Sequence, residues 1–420
     1  MIAVTLLVLL VLLAIGVPIF VSLGLSALLL WMVQLNSFDC VSIFQKMYIG
    51  LDSFTLMAVP FFMLAGEFMN TGGLSRRLVN FAHMMLGWIP GGLGFTTILA
   101  SMFIAAILGS ASASAAMVGM IMIPEMVRRG YNIDYSSALV AAAGSIGPII
   151  PPSIPLIVYG VIAQQSIVEL FTAGYIPGIM MAVIFGIYNF CYAKKSGYPA
   201  EAPPSSAEVL HSFKEAFLTL LLPVIIMGGI IGGIFTPTEA GVVAVVYAFF
   251  IGVIVYREIP AAQIPAVFVR AAKSSAMVLM VVTVASFLAW VITMQRLPQE
   301  VTGLILSKTD SAIVFLLVVN VIFIILGMFL DAVSALMIMT PVLLPAALAL
   351  DVNPVLFGVM LAVNLSIGVL TPPVGLNLYV TASIANISIV RITRAVMPLV
   401  ILLCCLLVLM TFFPKLFLVF

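Results

Sequence analysis

Long apolar runs alternate along the chain with short polar connections that hold nearly all of its charge. A run of about 20 apolar residues matches the thickness of a bilayer core, so the pattern predicts a series of membrane spans. The first is Met1 to about Trp31, followed by a polar and aromatic connection from Gln34 to Asp52. A second span covers about Ser53 to Asn70 and carries Glu67 near its end. Leu74 to Trp88 reads instead as an amphipathic helix with Arg76 and Arg77, of the kind that lies in the interface. Further spans are expected at about Leu170–Tyr192, at Ala216–Phe235, from there to Arg257, at Ser274–Thr293 after an amphipathic piece to Arg270, and finally to Phe420.

Four apolar stretches do not fit a simple span. Residues 93–127 are interrupted by Gly109-Ser-Ala-Ser-Ala-Ser114, and residues 311–350 by Gly327-Met-Phe-Leu-Asp-Ala-Val-Ser334. Residues 135–164 contain Gly144-Ser-Ile-Gly-Pro-Ile-Ile-Pro-Pro-Ser153, and residues 354–384 contain Ser366-Ile-Gly-Val-Leu-Thr-Pro-Pro-Val-Gly375. No helix passes through such Gly/Pro runs intact, because each proline removes an N–H and crowds the preceding turn. In hydrocarbon every freed backbone group must find a partner. The last two stretches are therefore expected to be broken spans.

Composition agrees with the pattern. Of 420 residues, 64% are hydrophobic and 7% charged, and the mean hydropathy is +1.33; soluble chains carry roughly a quarter charged residues. The fold expected is an all-α polytopic membrane protein surrounded by lipid. A net charge of +1 leaves no basic face for nucleic acid. The four cysteines form no CxxC, and His83 and His211 lie in polar connections, which leaves little for zinc or a histidine-based dyad. The first run is longer than a signal-peptide core and lacks a basic front end, so it is expected to be retained.

The positive-inside bias places Arg76 and Arg77, Arg128 and Arg129, Lys194 and Lys195, Arg257, Arg391 and Arg394 in the cytoplasm, with the N-terminus and the linker 194–215. Both ends of residues 93–127 then lie inside, and both ends of residues 311–350 outside. Each is expected to be a re-entrant hairpin; for the first, one long helix with a small-residue packing face is the alternative. Met120-Ile-Met-Ile-Pro124 matches Met337-Ile-Met-Thr-Pro341, and Ser145-Ile-Gly147 with Pro151-Pro152 matches Ser366-Ile-Gly368 with Pro372-Pro373. The two matches are 217 and 221 residues apart, which an insertion near Asp351–Pro354 accounts for. Residues 1–193 and 216–420 are thus expected to be inverted repeats, each with a hairpin and a broken span. Ser274–Thr293 has no equal in the first half.

Paired broken elements in inverted halves point to a transporter site near the midplane. The side chains offered there are Ser110, Ser112, Ser114, Ser145, Ser153, Asp331, Ser334, Asn364, Ser366, Thr371 and Asn377, beside Gly147, Pro151, Pro152, Gly368, Pro372 and Pro373. Hydroxyl, amide and carbonyl oxygens suit a hard cation such as Na⁺, and half-helix N-termini suit a carboxylate. Any one of these serines has an ordinary alternative in helix–helix bonding. Asp331 is either functional or a cap for the hairpin tip. Glu239 in Thr236-Pro-Thr-Glu239 reads as a capping box.

These elements, together with Gly232-Gly-Ile-Phe-Thr-Pro-Thr-Glu-Ala-Gly241, resemble the large membrane subunit of tripartite ATP-independent periplasmic (TRAP) transporters over essentially the whole chain. The resemblance implies a Na⁺-driven importer of acidic metabolites, of sialic acid or C4-dicarboxylate type, in the bacterial inner membrane. It implies a scaffold plus an elevator-type transport domain holding both hairpins. The implied partners are a periplasmic substrate-binding protein and a small four-helix membrane subunit, the latter expected on a separate chain. Family Na⁺ sites map onto Ser110–Ser114 with Gly147–Ser153, and onto Asp331–Ser334 with Gly368–Pro373. The first break reads Ile-Pro-Pro, so a threonine ligand carries over only to Thr371. No P-loop and no organic cofactor is implied, and no enzyme activity is expected. The alternatives are an intramembrane serine hydrolase using Ser112 or Ser114, which lacks a histidine in any span, and an ion channel.

Overall fold

A computed structural model describes residues 8–9, 11–12, 15–35, 40–198, 200 and 202–418. The remainder of the expected first span, residues 36–39 of the connection after it, Pro199 and Glu201 of the linker and the last two residues of the final span lie outside the described residues. Every regular element among the described residues is helical. Seven helical segments are long and apolar enough to cross a membrane: Phe54–Thr71, Ile167–Ser196, Ser206–Ile231, Pro237–Val255, Ala261–Met294, Ala332–Ala349 and Ile389–Phe412.

In chain order the helices begin with α1 (Ile19–Leu35), α2 (Cys40–Leu51), α3 (Ala58–Thr71) and α4 (Leu74–Leu86). Next come α5 (Gly92–Leu108) and α6 (Ala111–Arg128), then α7 (Ile133–Gly144) and α8 (Ile154–Ala163), and the long α9 (Ile167–Ser196). The second half holds α10 (Ser206–Ile231), α11 (Pro237–Phe249), α12 (Ile264–Met294) and α13 (Leu297–Leu306). It continues with α14 (Ala312–Gly327) and α15 (Ala332–Ala349), then α16 (Pro354–Gly368) and α17 (Leu376–Ala385), and ends with α18 (Ile389–Phe412). A helical hairpin followed by an interrupted helix thus occurs twice, as α5–α6 with α7–α8 and as α14–α15 with α16–α17.

Local chemistry sets the boundaries. Asn132 and Asn353, each followed by one of the interrupted helices, accept from the backbone N–H groups two and three residues on, the usual role of an N-cap side chain. The expected capping box at Thr236 and Glu239 starts α11, and Ser205 with Glu208 forms another at the start of α10. Gln164 and Asn386 end α8 and α17 in left-handed conformations at φ 54° and 52°, a region that the short side chain of Asn386 tolerates better than most.

Several short elements differ from the sequence reading. The amphipathic piece before Arg270 and the span after it are one helix, α12. Arg270 does not end it, because Nε lies 2.9 Å from Glu67 Oε2 and Nη2 donates to Thr71 Oγ1 at 2.8 Å, both on α3. The helix-free linker shrinks to about 197–205, and α2 and α13 occupy stretches expected to be connections.

Packing sorts the helices into two groups. α11 lies on α3, α4 on α10, and α12 across α1, α2 and α3. The hairpins and interrupted helices pack mainly among themselves, with α9 and α18 against them. Here the halves interlock: α8 packs on α15 and α16, and α17 on α6 and α7. Hydrogen bonds that join them include Tyr159 Oη to Pro354 O at 2.6 Å and Asn377 Nδ2 to Ala141 O at 2.9 Å. Gly358 makes room for the first, since a Cβ there would overlap the Tyr159 ring.

Tyr159→Phe is expected to cost about 1 kcal/mol of stability, the worth of one buried hydrogen bond. Gly358→Ala should cost more, by forcing the ring aside. Thermal unfolding in detergent checks the order, and equal midpoints for both variants and the wild type would refute it.

Candidate functional site between the hairpin tips

Each hairpin tip closes against the break of its own half. Gly109 ends α5 in the left-handed region, φ 59°. A Cβ on Gly109 would stand 2.6 Å from Pro152 O, and one on Gly147 2.7 Å from Ser110 O, closer than real side chains approach. In the second half, a Cβ on Gly368 would collide with the Cα of Gly327. Glycine is required here for close approach rather than for flexibility. Both Pro–Pro peptides, Pro151–Pro152 and Pro372–Pro373, are cis.

Between the two pairs lies a cavity of about 120 Å³. The first tip contributes Gly109, Ser110, Ala111 and Ser112, and the first break Pro148, Ile154 and Pro155. The second tip adds Asp331, Ala332 and Val333, and the second break Leu365, Val369, Leu376 and Asn377. Met63 of α3 and Val278 of α12 close it from the other helix group. Of the residues expected from sequence, Ser110, Ser112, Asp331 and Asn377 therefore meet at one place. Gly147, Pro151, Pro152, Gly368, Pro372 and Pro373 shape the breaks behind it and are absent from its lining.

The remaining polar side chains divide by what they already hold. Asp331 caps α15: Oδ2 accepts from Val333 N at 3.1 Å and Ser334 N at 3.3 Å, and Oδ1 accepts from the Ser334 hydroxyl. The capping role anticipated as its alternative is thus present, in a residue that also lines the cavity. Ser145 Oγ donates to Ala142 O at 2.7 Å, and Thr371 Oγ1 to Ile367 O at 2.8 Å. Ser153 Oγ donates to Pro148 O and accepts from Leu156 N. Four of their atoms hold nothing: Ser114 Oγ, Asn364 Oδ1, Ser366 Oγ and Asn377 Oδ1 are buried without a hydrogen-bond partner, as are Ser101 Oγ of α5 and Thr340 Oγ1 of α15. An orphaned polar atom of this kind costs roughly 1–3 kcal/mol, more in hydrocarbon. Asn377 belongs to the cavity lining, and Asn364 and Ser366 flank Leu365 of that lining, so their free oxygens are candidate ligands.

Charge sharpens this. The cavity lining has no basic side chain, and the described residues hold no cluster of three His, Cys, Asp or Glu. Ser110 precedes α6 without capping it through its side chain, so the first N–H groups of that helix face the tip unneutralised. Hydroxyls, amide carbonyls, the Asp331 carboxylate and one helix N-terminus thus have to manage any ion held here.

The halves are unequal in exposure. Residues 141–153, through the first break, are buried, whereas Pro373 and Leu376 of the second are exposed. A second cavity, about 340 Å³, lies toward Ser53 and Gln164. Its lining steps along the same elements by one or two turns, from Val278 to Val282 and Ser286, from Pro155 to Val158, and from Val333 to Met337. A larger hollow of about 500 Å³ between α5 and α9 is lined by apolar side chains and glycine, and offers a solute no polar atom.

Met63, Val278, Ile154 and Pro155 join the site without having been anticipated. The first two are ordinary apolar residues in spans and carry no sequence signal. Asn320, discussed below, was legible as the only amide inside the uncharged run Ala312–Gly327.

Burial separates neighbouring serines at the first tip: Ser112 is half-buried and Ser114 fully buried. In a cysteine-free background, Ser112→Cys is expected to react with a membrane-impermeant maleimide in detergent and Ser114→Cys to resist it. The reverse order of labelling rates would contradict the placement of the tip.

Residues 6–416 match the family model described as the tripartite ATP-independent periplasmic transporter, DctM component. Among curated relatives, the isethionate TRAP transporter permease protein DctMQ of Oleidesulfovibrio alaskensis is 43% identical over 96% of this chain, which spans 63% of that relative's length. The 2,3-diketo-L-gulonate TRAP transporter large permease YiaN of Escherichia coli is 41% identical, covering 96% of this chain and 95% of its own. The sialic acid large permease SiaM of Vibrio cholerae is 39% identical over 95% of this chain and 93% of its own. The solved YdaH transporter of Alcanivorax borkumensis superposes with a TM-score of 0.63 at 15% identity, over 90% of this chain and 87% of that one, a likeness of fold. With the match running nearly end to end, the chain belongs to the DctM family of TRAP transporter large permeases and is a multi-pass membrane protein.

Proposed function

We propose that this chain is a Na⁺-driven symporter that imports a small organic anion by elevator-type alternating access. The observation that carries the reading is a cavity without a basic side chain, lined by Ser110, Ser112, Asp331 and Asn377, where the Asn377 oxygen is buried without a partner, as are those of Ser114, Asn364 and Ser366 on the same tip and breaks. Oxygen ligands of this kind select a hard cation. A cation bound there, with the uncapped start of α6, supplies the positive charge that an anion needs. The tips and breaks of the two halves form the Na⁺ and substrate site, and the halves are inverted repeats.

In this scheme α1–α4 and α10–α12 form the scaffold and the interlocked hairpins the moving domain, with Met63 and Val278 on the sliding seam. The relatives are named for isethionate, 2,3-diketo-L-gulonate and sialic acid, which share an acid group and little else. Selectivity accordingly rests with a periplasmic binding protein that delivers the substrate. A small membrane subunit on a separate chain completes the permease in the bacterial inner membrane, with the Lys194–Lys195 end of α9 in the cytoplasm. A serine hydrolase is disfavoured because neither His83 nor His211 lines the cavity.

Uptake into proteoliposomes containing the complete permease and a loaded binding protein tests this directly. Uptake is expected to require an inward Na⁺ gradient, and Asn377→Leu to lower it about tenfold, the equivalent of one lost ligand. Uptake that proceeds equally without Na⁺ would overturn the coupling.

A further inference from the structure

A row of three polar side chains crosses the apolar interior of the second half, on α14, α16 and α18. Asn364 Nδ2 donates to Asn320 Oδ1 at 2.8 Å, and Asn320 Nδ2 donates to Thr411 Oγ1 at 3.0 Å. All three residues are at most 6% exposed.

The direction of every bond in the row is fixed from its ends. Thr411 gives its single hydroxyl hydrogen to Leu407 O at 2.9 Å, so toward Asn320 it can only accept. Asn320 must then present its NH₂ to Thr411 and its oxygen to Asn364. At the other end, Asn364 Nδ2 also donates to Met360 O at 3.0 Å, and a carbonyl can only accept. Both amide hydrogens of Asn364 are therefore committed, and its Oδ1 is left buried without a partner. The amide cannot flip to satisfy that atom without breaking two bonds at once.

The place is as specific as the direction. Asn320 stands two turns before Gly327 and Asn364 one turn before Gly368, the glycines whose backbones meet where the second tip closes on its break. The orphaned oxygen is thus about one helical turn from that contact. The first half has no such row, since the corresponding positions are Phe103, Ala143 and Phe190.

We infer that Asn320, braced by Thr411, is a positioning residue that holds Asn364 Oδ1 toward a Na⁺ at the second tip-and-break pair. The inference rests on the sodium-driven reading above. Asn320 does not touch the ion; it fixes the orientation of the amide that does, as an outer hydrogen bond fixes a ligand elsewhere.

The complete permease in proteoliposomes, fed by its binding protein, provides the test, with initial uptake measured against Na⁺ concentration. Asn320→Leu keeps the volume and adds no charge. It is expected to raise the Na⁺ concentration for half-maximal uptake roughly tenfold, while substrate KM at saturating Na⁺ stays at the wild-type value. Thr411→Val should shift the Na⁺ dependence the same way by a smaller factor, and Thr411→Ser should restore it; this pair decides the matter where Asn320→Leu fails to fold. The rise of the thermal midpoint with added Na⁺ should move in parallel in the purified protein, a readout independent of transport. An unchanged Na⁺ dependence in Asn320→Leu, or an equal rise in substrate KM, would overturn the inference. A wild-type permease indifferent to Na⁺ would instead refute the coupling reading, and the inference with it.

Discussion

A membrane protein cannot leave buried backbone groups unpartnered, yet this chain interrupts two apolar helices, after Gly144 and after Gly368. Everything around the site follows from how those interruptions are closed. Side chains do part of it, as where Ser153 bonds Pro148 O and caps α8. The rest is done by bringing a second backbone against the first: the Gly109–Ser110 tip against Gly147 and Pro152, and Gly327 against Gly368. Contacts that close need glycine on the facing surfaces, and they tie each hairpin to its own broken helix. The cavity is what remains between the two closed pairs.

The two closures are chemically different. Asp331 spends its carboxylate on the N–H groups that start α15, whereas Ser110 leaves the start of α6 uncapped by any side chain. One tip is therefore locally neutralised and the other presents partial positive charge. The breaks differ as well, the first being buried and the second partly open at Pro373. Met63 and Val278 then matter through what they lack. With no polar atom to hold the tips, an apolar wall lets the interlocked hairpins slide without breaking hydrogen bonds in the proposed elevator movement.

Much of this was legible in the sequence because glycine and proline mark interruptions locally. The hairpin bounds 93–127 and 311–350 fall within a residue or so of the helices that form, and the broken spans, at 135–164 and 354–384, within two or so. The start of α11 follows from Thr236 and Glu239 alone. What escaped were features decided by distant partners. Arg270 looks like the end of an interfacial piece until Glu67 and Thr71 are placed beside it. Asn320 stands out as a lone amide in an apolar run, but its role does not, because its partners lie 44 and 91 positions away. Ser114 and Ser145 are equally plausible ligands in the sequence, and only geometry shows that one hydroxyl is committed to Ala142 O while the other is free.

The central claim is that the hairpin-bearing helices move as one body past a fixed scaffold. The most direct measurement is the distance distribution between spin labels on Ser286 of α12 and Val161 of α8, which border the same cleft, in the reconstituted permease. Two populations are predicted, with Na⁺ and substrate shifting the balance between them, while a pair on α3 and α11 within the scaffold keeps one distance throughout. A single unchanging distance between Ser286 and Val161 under all conditions would contradict the account.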